Sequence, residues 1–271
     1  MENYILNFNN YKKKIVYFFN KGDGGIGDFL KYFMYLLEYS IKNEVQLYYY
    51  KGNNSINDYL KLIHDKMYIN MYEISSPIDI KNMNFDTKLE ENKIYTAKPY
   101  CMYNLCGKLG SDAFDFWRTL NIPISNVFYF DEKIKDNVEK HLSINDYISI
   151  HLRLGDKFLD TDPRFVLCKH DERSFDSKKL FEFIENNKTK QIYFFSDSTK
   201  FKLTLKKKFD FINILPYDIC HTSLPNVNNN QILNTMSDFY ILTNSHHIYY
   251  CSNSGFPIVA AKFNKIPYSK I

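Results

Sequence analysis

Apolar residues along this chain recur in two rhythms that alternate. Residues 15–19, behind Lys12, Lys13 and Lys14, form a short apolar run of strand length. Phe29, Leu30, Phe33, Leu36, Leu37 and Ile41 then recur at i, i+3, i+4 spacing, which predicts an amphipathic helix. Between them lies Asn20-Lys-Gly-Asp-Gly-Gly-Ile-Gly27, with Asp28 placed to cap or begin the helix. Strand, glycine turn and helix in this order open a doubly wound α/β domain. Residues 45–50 read as a second strand, 57–63 as a short helix and 67–74 as a strand. From 75 to 123 the pattern weakens: Pro77, Pro99, Gly107 and Gly110 interrupt it, and Phe114, Phe116, Trp117 and Leu120 form its one apolar knot.

The second half repeats the alternation. Ile134, Val138 and Leu142 share one face of a helix over 131–142. Strands are expected at 147–152, 191–195, 211–215 and 247–251, and helices at 177–187, 199–208, 231–242 and 257–263. Strands separated by helices of this length argue for parallel sheets. The expected architecture is α/β, two Rossmann-like domains over 1–142 and 143–271, with the cleft they face as the binding site.

Several strand ends carry chemistry. His151 and Arg153 fall at the carboxyl end of the 147–152 strand, where ligands bind in open α/β sheets, and Gly155-Asp156 turns the chain behind them. Arg153 offers a planar fork of donors suited to phosphate. Ser196 and Asp197 close the 191–195 strand, either as the start of a helix cap or as site residues. Ser252, Asn253, Ser254 and Gly255 precede the last helix, and small hydroxyls with a glycine there suit either a plain cap or a phosphate cradle. Gly24, Gly25 and Gly27 make neither a Walker loop nor a Gly-x-Gly-x-x-Gly fingerprint; a tight strand-to-helix connection and a ligand-facing turn both fit them.

Composition narrows the class. With 271 residues, 45% apolar and 17% aromatic, the chain is globular. A net charge of +4 is far from the footprint of a nucleic-acid binder, and the lysine clusters at 12–14 and 206–208 read as solvated. The five cysteines are scattered, without a Cys-x-x-Cys pair, so reduced buried thiols are expected. With no apolar signal region at the start and no apolar run long enough to span a bilayer, the expected compartment is the cytoplasm.

The pattern His151-x-Arg153-x-Gly155-Asp156 after an apolar strand resembles the donor-site motif of the α1,2-, α1,6- and protein O-fucosyltransferases. That resemblance implies a GT-B fold, GDP-fucose as donor, Arg153 on its diphosphate, His151 beside the nucleotide, and inversion with no metal or other cofactor. Gly24-Gly-Ile-Gly-Asp28 resembles the family's Gly-Gly-Leu-Gly-Asn-Gln segment, and Tyr193-Phe-Phe-Ser-Asp197 its Phe-x-Ser-Asp-Asp segment, with Ser198 at the second Asp. Asp238 and Ser254 stand in the relation of the family pair in which the Asp meets guanine and the hydroxyl meets the β-phosphate. Asp156-Lys157 matches the Asp-Lys pair of the α1,6 enzymes, whose catalytic acid falls here on Thr161, leaving Asp160 or Asp162 as the expected base. The implied partners are a nucleotide sugar and a glycan acceptor. Three alternatives stay open: a heptosyltransferase-like enzyme, since those also begin with Gly-Asp before a helix; a metal-dependent transferase using Asp160-Thr-Asp162; and an inactive nucleotide-sugar or glycan-binding module.

Overall fold

The computed structural model describes residues 1–74, 80–82, 88–99, 121–141, 146–155, 172–215, 217–224 and 227–271. The chain divides into two units, Met1–Tyr129 and Phe130–Ile271. The first contains α1 (Glu2–Asn7), β1 (Lys13–Phe18), α2 (Ile26–Asn43), β2 (Val45–Tyr50), β3 (Leu60–Leu62), β4 (Tyr68–Ile69), α3 (Met71–Ile74), β5 (Ile80–Asn82) and β6 (Ile94–Ala97), and β7 (Phe128–Phe130) leads out of it. Its sheet has the order β4-β2-β1-β6-β5 and is parallel throughout. A strand buried on both faces has no polar side to show, which is why β1 reads as a continuous apolar run.

The stripe on α2 packs as its spacing predicts. Phe29 and Phe33 interlock with Tyr17, Tyr49 and Phe128 at centroid separations of 4.9–6.4 Å. Each buried phenol finds a partner for its hydroxyl: Tyr17 donates to the Phe29 carbonyl at 3.3 Å and Tyr49 to Asn57 Oδ1 at 2.5 Å. Two expected elements differ. Residues 57–63 form no helix: a 3-10 turn over Ser55–Asp58 leads into β3, whose Leu60 and Leu62 are both buried while Lys61 between them is less so, a two-residue period. The 67–74 strand is only β4, because the Asn70 side chain accepts from the Glu73 N–H at 2.9 Å and starts α3. The 114–120 knot lies outside the described residues.

The second unit contains α4 (Glu132–Glu139), β8 (Ile148–Leu152), α5 (Ser177–Asn186), β9 (Ile192–Ser196), α6 (Thr199–Lys208), β10 (Asn213–Ile214), α7 (Asn229–Thr243), β11 (His247–Tyr250), α8 (Gly255–Phe263) and β12 (Tyr268–Lys270). Its sheet is again parallel, in the order β10-β9-β8-β11-β12, with β8 at the centre and wholly buried. Ile148, Ile150 and Leu152 meet Leu180 and Ile184 from α5 and Leu205 from α6 in one core. The junction expected at 142/143 falls earlier, after Tyr129. Phe130 packs on Phe239, Tyr240 and Phe263, and Asn137 of α4 donates to Ser237 of α7 at 2.9 Å, so α4 is fastened to the second unit.

The glycine turn between β1 and α2 is built from its own polar groups. Asp23 accepts the Asn20 N–H at 2.7 Å, and Asp28, in the first turn of α2, accepts the Gly25 N–H at 3.4 Å while pairing with Lys31 at 3.3 Å. Gly22 has φ +99° and Gly24 φ +132°, in the left-handed region that only glycine adopts freely. At Gly24 a Cβ would also stand 2.8 Å from Asp28 Oδ2 and 2.9 Å from its Cβ, whereas at Gly22 it would meet open space. Gly24→Ala is therefore expected to destabilise the protein by about 1–3 kcal/mol, and by more than Gly22→Ala. Urea unfolding of the two variants checks the order; equal losses would show that the Asp28 approach carries no constraint.

Candidate functional site

The described site residues of the second unit, Asp238 apart, gather where β8, β9 and β11 end. His151 pairs in register with Phe195 on one side and Tyr250 on the other, and its carbonyl accepts from the Cys251 N–H at 3.0 Å. Its ring stacks on Phe256, in the first turn of α8, at 5.5 Å and 29°. The residue is 7% exposed, and Nδ1 is buried with no hydrogen-bond partner. Burial, with the charges of Arg153 and Arg173 adding to it, pushes the imidazole pKa down to about 3. His151 is thus a neutral ring with an unused polar atom.

Arg153 follows as the chain leaves the sheet, and its main chain is gripped from both neighbouring strand ends. Ser252, beyond β11, uses one hydroxyl twice: it accepts from the Arg153 N–H at 3.1 Å and donates to the Arg153 carbonyl at 2.7 Å. Asp197, beyond β9, accepts the Leu154 N–H at 2.8 Å on one oxygen and the Gly155 N–H at 2.9 Å on the other. Gly155 has φ +108°, so this tight turn requires glycine. Burial raises the Asp197 pKa, and the two N–H bonds and Arg153 oppose that rise. Ser196 is buried; its hydroxyl lies 3.4 Å from Asp197 and accepts the Ser198 N–H at 3.3 Å, while the Ser198 side chain caps α6.

Ser196, Asp197 and Ser252, expected from the sequence at the donor, thus spend their hydrogen bonds on the shape of the turn that presents Arg153. Asn253 is exposed and accepts from Lys270 at 3.3 Å through Oδ1. Ser254 is buried at the N-cap of α8 without supplying a side-chain cap, and Gly255 opens that helix.

Four cationic or aromatic partners escaped the sequence reading. Arg173 returns to the site: its N–H donates to the Leu154 carbonyl at 2.8 Å and its Nη1 to the Asn253 carbonyl. Phe256 supplies the face on which His151 lies. Around Asp238, buried on α7, the Tyr217 hydroxyl donates to Oδ1 at 3.0 Å. Burial raises the Asp238 pKa to about 6, against the opposing pull of Lys202 and of the Tyr217 bond. Lys202 hides in a lysine-rich helix that looks solvated, yet it is 1% exposed and donates to the carbonyls of Leu215 and Tyr217 at 3.2 and 3.1 Å.

Asp156, Lys157, Asp160 and Asp162 lie outside the described residues. Gly24, Gly25 and Gly27 belong to the first unit and form the turn into α2 described above. Among the described residues no group of three His, Cys, Asp or Glu side chains stands close enough to hold a metal ion, and no helix is long and apolar enough to cross a membrane.

The His151 ring has a measurable consequence. Between its native pKa of about 3 and the ordinary 6.5, the unfolded chain binds a proton that the native state refuses. Stability from this group is therefore lost as pH falls below 6.5, by up to about 1.4 kcal/mol per pH unit. Asp238, raised from 3.8 to about 6, works the other way below pH 6. Comparing wild type with His151→Gln isolates the imidazole: the stability difference is expected to shift against wild type as pH drops from 6.5. Arg173→Ala is expected to raise the His151 pKa, read by NMR titration, and an unmoved titration would refute the proximity of the two charges.

No family model and no curated protein matches this chain. Solved structures do. The NodZ α-1,6-fucosyltransferase soaked with GDP-fucose superposes with a TM-score of 0.53 at 12% identity, covering 93% of this chain and 92% of that one. A variant of Arabidopsis thaliana FUT1 in complex with GDP gives 0.53 at 12% identity over all of this chain and 74% of that one. POFUT1 in complex with GDP-fucose gives 0.51 at 10% identity over 96% and 98%. The chain thus has an α/β fold with parallel sheets, of the GT-B type seen in solved fucosyltransferases.

Proposed function

We propose that this protein is a fucosyltransferase-type glycosyltransferase that moves fucose from GDP-fucose to a hydroxyl of a glycan acceptor, with inversion and without a metal. The observation that carries the reading is the grip of Ser252 and Asp197 on the Arg153–Gly155 main chain, at the carboxyl end of the central strand. A guanidinium whose backbone is immobilised in this way is preorganised to meet charge, the usual source of the largest catalytic term. NodZ and POFUT1, which share the fold, have been solved with GDP-fucose, and this supports the choice of donor.

In the proposed reaction the acceptor oxygen attacks the anomeric carbon while Asp160 or Asp162 takes its proton. The bond from that carbon to the β-phosphate oxygen breaks, and GDP leaves with the electron pair. Arg153 meets the charge on the diphosphate together with Ser254 and the first-turn N–H groups of α8. His151 lies beside the nucleotide, and Asp238 accepts from the guanine base. Asp156, Lys157, Ser196, Asp197, Ser252, Asn253 and Gly255 complete the donor pocket, some of them through the main chain they hold. The second unit serves the donor and the first the acceptor side, while Gly24, Gly25 and Gly27 of the first are assigned to the nucleotide sugar.

One observation favours a second reading. Thr161 stands where the α1,6 enzymes carry their acid, as it would in a module that binds a nucleotide sugar without transferring it.

The tests separate the two. GDP in large excess over its Kd is expected to stabilise the protein by about 3–4 kcal/mol, with UDP and ADP giving less and EDTA changing nothing. Arg153→Ala is expected to cost on the order of 100-fold in turnover with the fold intact. GDP-fucose binding with neither transfer nor hydrolysis supports the binding module, and wild-type turnover in Arg153→Ala sinks the assigned role of this cation.

A further inference from the structure

Asp238 is an unusual carboxylate. It is 2% exposed, and only Oδ1 is engaged, by the Tyr217 hydroxyl at 3.0 Å; Oδ2 accepts no hydrogen bond among the described residues. An ionised carboxylate accepts on both oxygens, so Oδ2 keeps acceptor capacity for a donor that comes from elsewhere.

The group that engages it is itself fastened with care. Tyr217 lies in the segment that leaves the carboxyl end of β10, and side chains from two helices tie that segment down. From α6, Lys202 donates to the carbonyls of Leu215 and Tyr217 at 3.2 and 3.1 Å, and Thr199 donates to Asp218 Oδ1 at 3.1 Å. From α7, Asn234 donates to the Asp218 carbonyl at 3.1 Å, and Thr235 accepts the Cys220 N–H at 2.9 Å. Lys202 is buried and also lowers the Asp238 pKa, so one cation both anchors the Tyr217 main chain and favours the carboxylate form.

We propose that Tyr217, anchored by Lys202, is the positioning residue that sets base specificity: it holds the Asp238 carboxylate in the plane from which it reads two adjacent N–H donors of a purine. Guanine presents such a pair at N1 and the 2-amino group, and adenine and uracil do not. The inference rests on the reading of the donor as a guanosine diphosphate sugar and adds to it the residues that enforce the base. A hydrogen bond to a buried charge is worth about a factor of ten or more in affinity.

Calorimetric binding of GDP, IDP and ADP to wild type, Tyr217→Phe, Asp238→Asn and the double variant tests this. Tyr217→Phe is expected to weaken GDP about tenfold, to shrink the preference for GDP over IDP, which lacks the 2-amino group, and to leave ADP unchanged. Added to Asp238→Asn, it is expected to cost nothing further, because the two act as one unit. Lys202→Met gives a second route to the same readout should Tyr217→Phe fold poorly, and the same selective loss is expected of it. Equal weakening of GDP and ADP would mean that Tyr217 only braces its segment, and additive losses in the double variant would mean that it does not act through Asp238; either overturns the proposal. Wild type with no preference for GDP over ADP would be a different failure, that of the donor reading on which the proposal rests.

Discussion

Where β8 leaves the sheet, the N–H groups of Arg153, Leu154 and Gly155 lose the ladder that satisfied the residues before them. Leaving such groups buried and unpaired costs about 1–3 kcal/mol each. Ser252 and Asp197 meet all three, one from each neighbouring strand end. The arrangement is reciprocal, since the two N–H bonds that Asp197 accepts are also what oppose the burial that raises its pKa. Other features of the site follow from this turn. The direction in which Arg153 departs, the left-handed Gly155 and the return of the chain at Arg173 onto the Leu154 carbonyl all presuppose it.

Hydrogen-bond satisfaction also sorts the buried ionisable groups by role. Asp197 and Lys202 direct their hydrogen bonds to main-chain atoms and shape segments. His151 and Asp238 are as deeply buried, yet the His151 Nδ1 atom is buried without a partner among the described residues, and the Asp238 carboxylate is engaged there only at Oδ1. Burial without satisfaction is unfavourable for a folded chain by itself. It is sustained where the missing partner belongs to a ligand, which is how the proposed donor site accounts for the His151 ring.

Much of this fold was legible in the sequence because parallel strands buried on both faces are written as apolar runs, and α2 carries its stripe openly. The reading failed where a local hydrogen bond decided the outcome: the Asn70 side chain that starts α3, and the two-residue period of Leu60 and Leu62 taken for a helical turn. In the site, strand ends were legible and partners were not. Ser196, Asp197 and Ser252 stood out as polar residues closing apolar runs, but nothing in their spacing shows that Asp197 faces N–H groups more than forty residues earlier. Arg173, Tyr217 and Lys202 gave no signal at all, since each becomes meaningful through residues brought near only by folding, and Lys202 is masked by the lysines beside it.

These constraints fall on few positions. A turn that needs glycine, a hydroxyl that must reach both an N–H and a carbonyl, and a carboxylate that spans two N–H groups fix a handful of residues and leave the remainder free, provided they stay apolar where buried. That is the physical sense in which a fold shared with NodZ can persist at 12% identity. It also separates two kinds of chemistry. The cation stands on the rigid end of a central strand, where its main chain cannot drift. The acids nominated as base fall in the sequence between β8 and α5, outside the described residues. On the proposed reading, the groups assigned to the donor nucleotide are the ones whose main chain the sheet end holds in place, so a change of acceptor would leave them undisturbed.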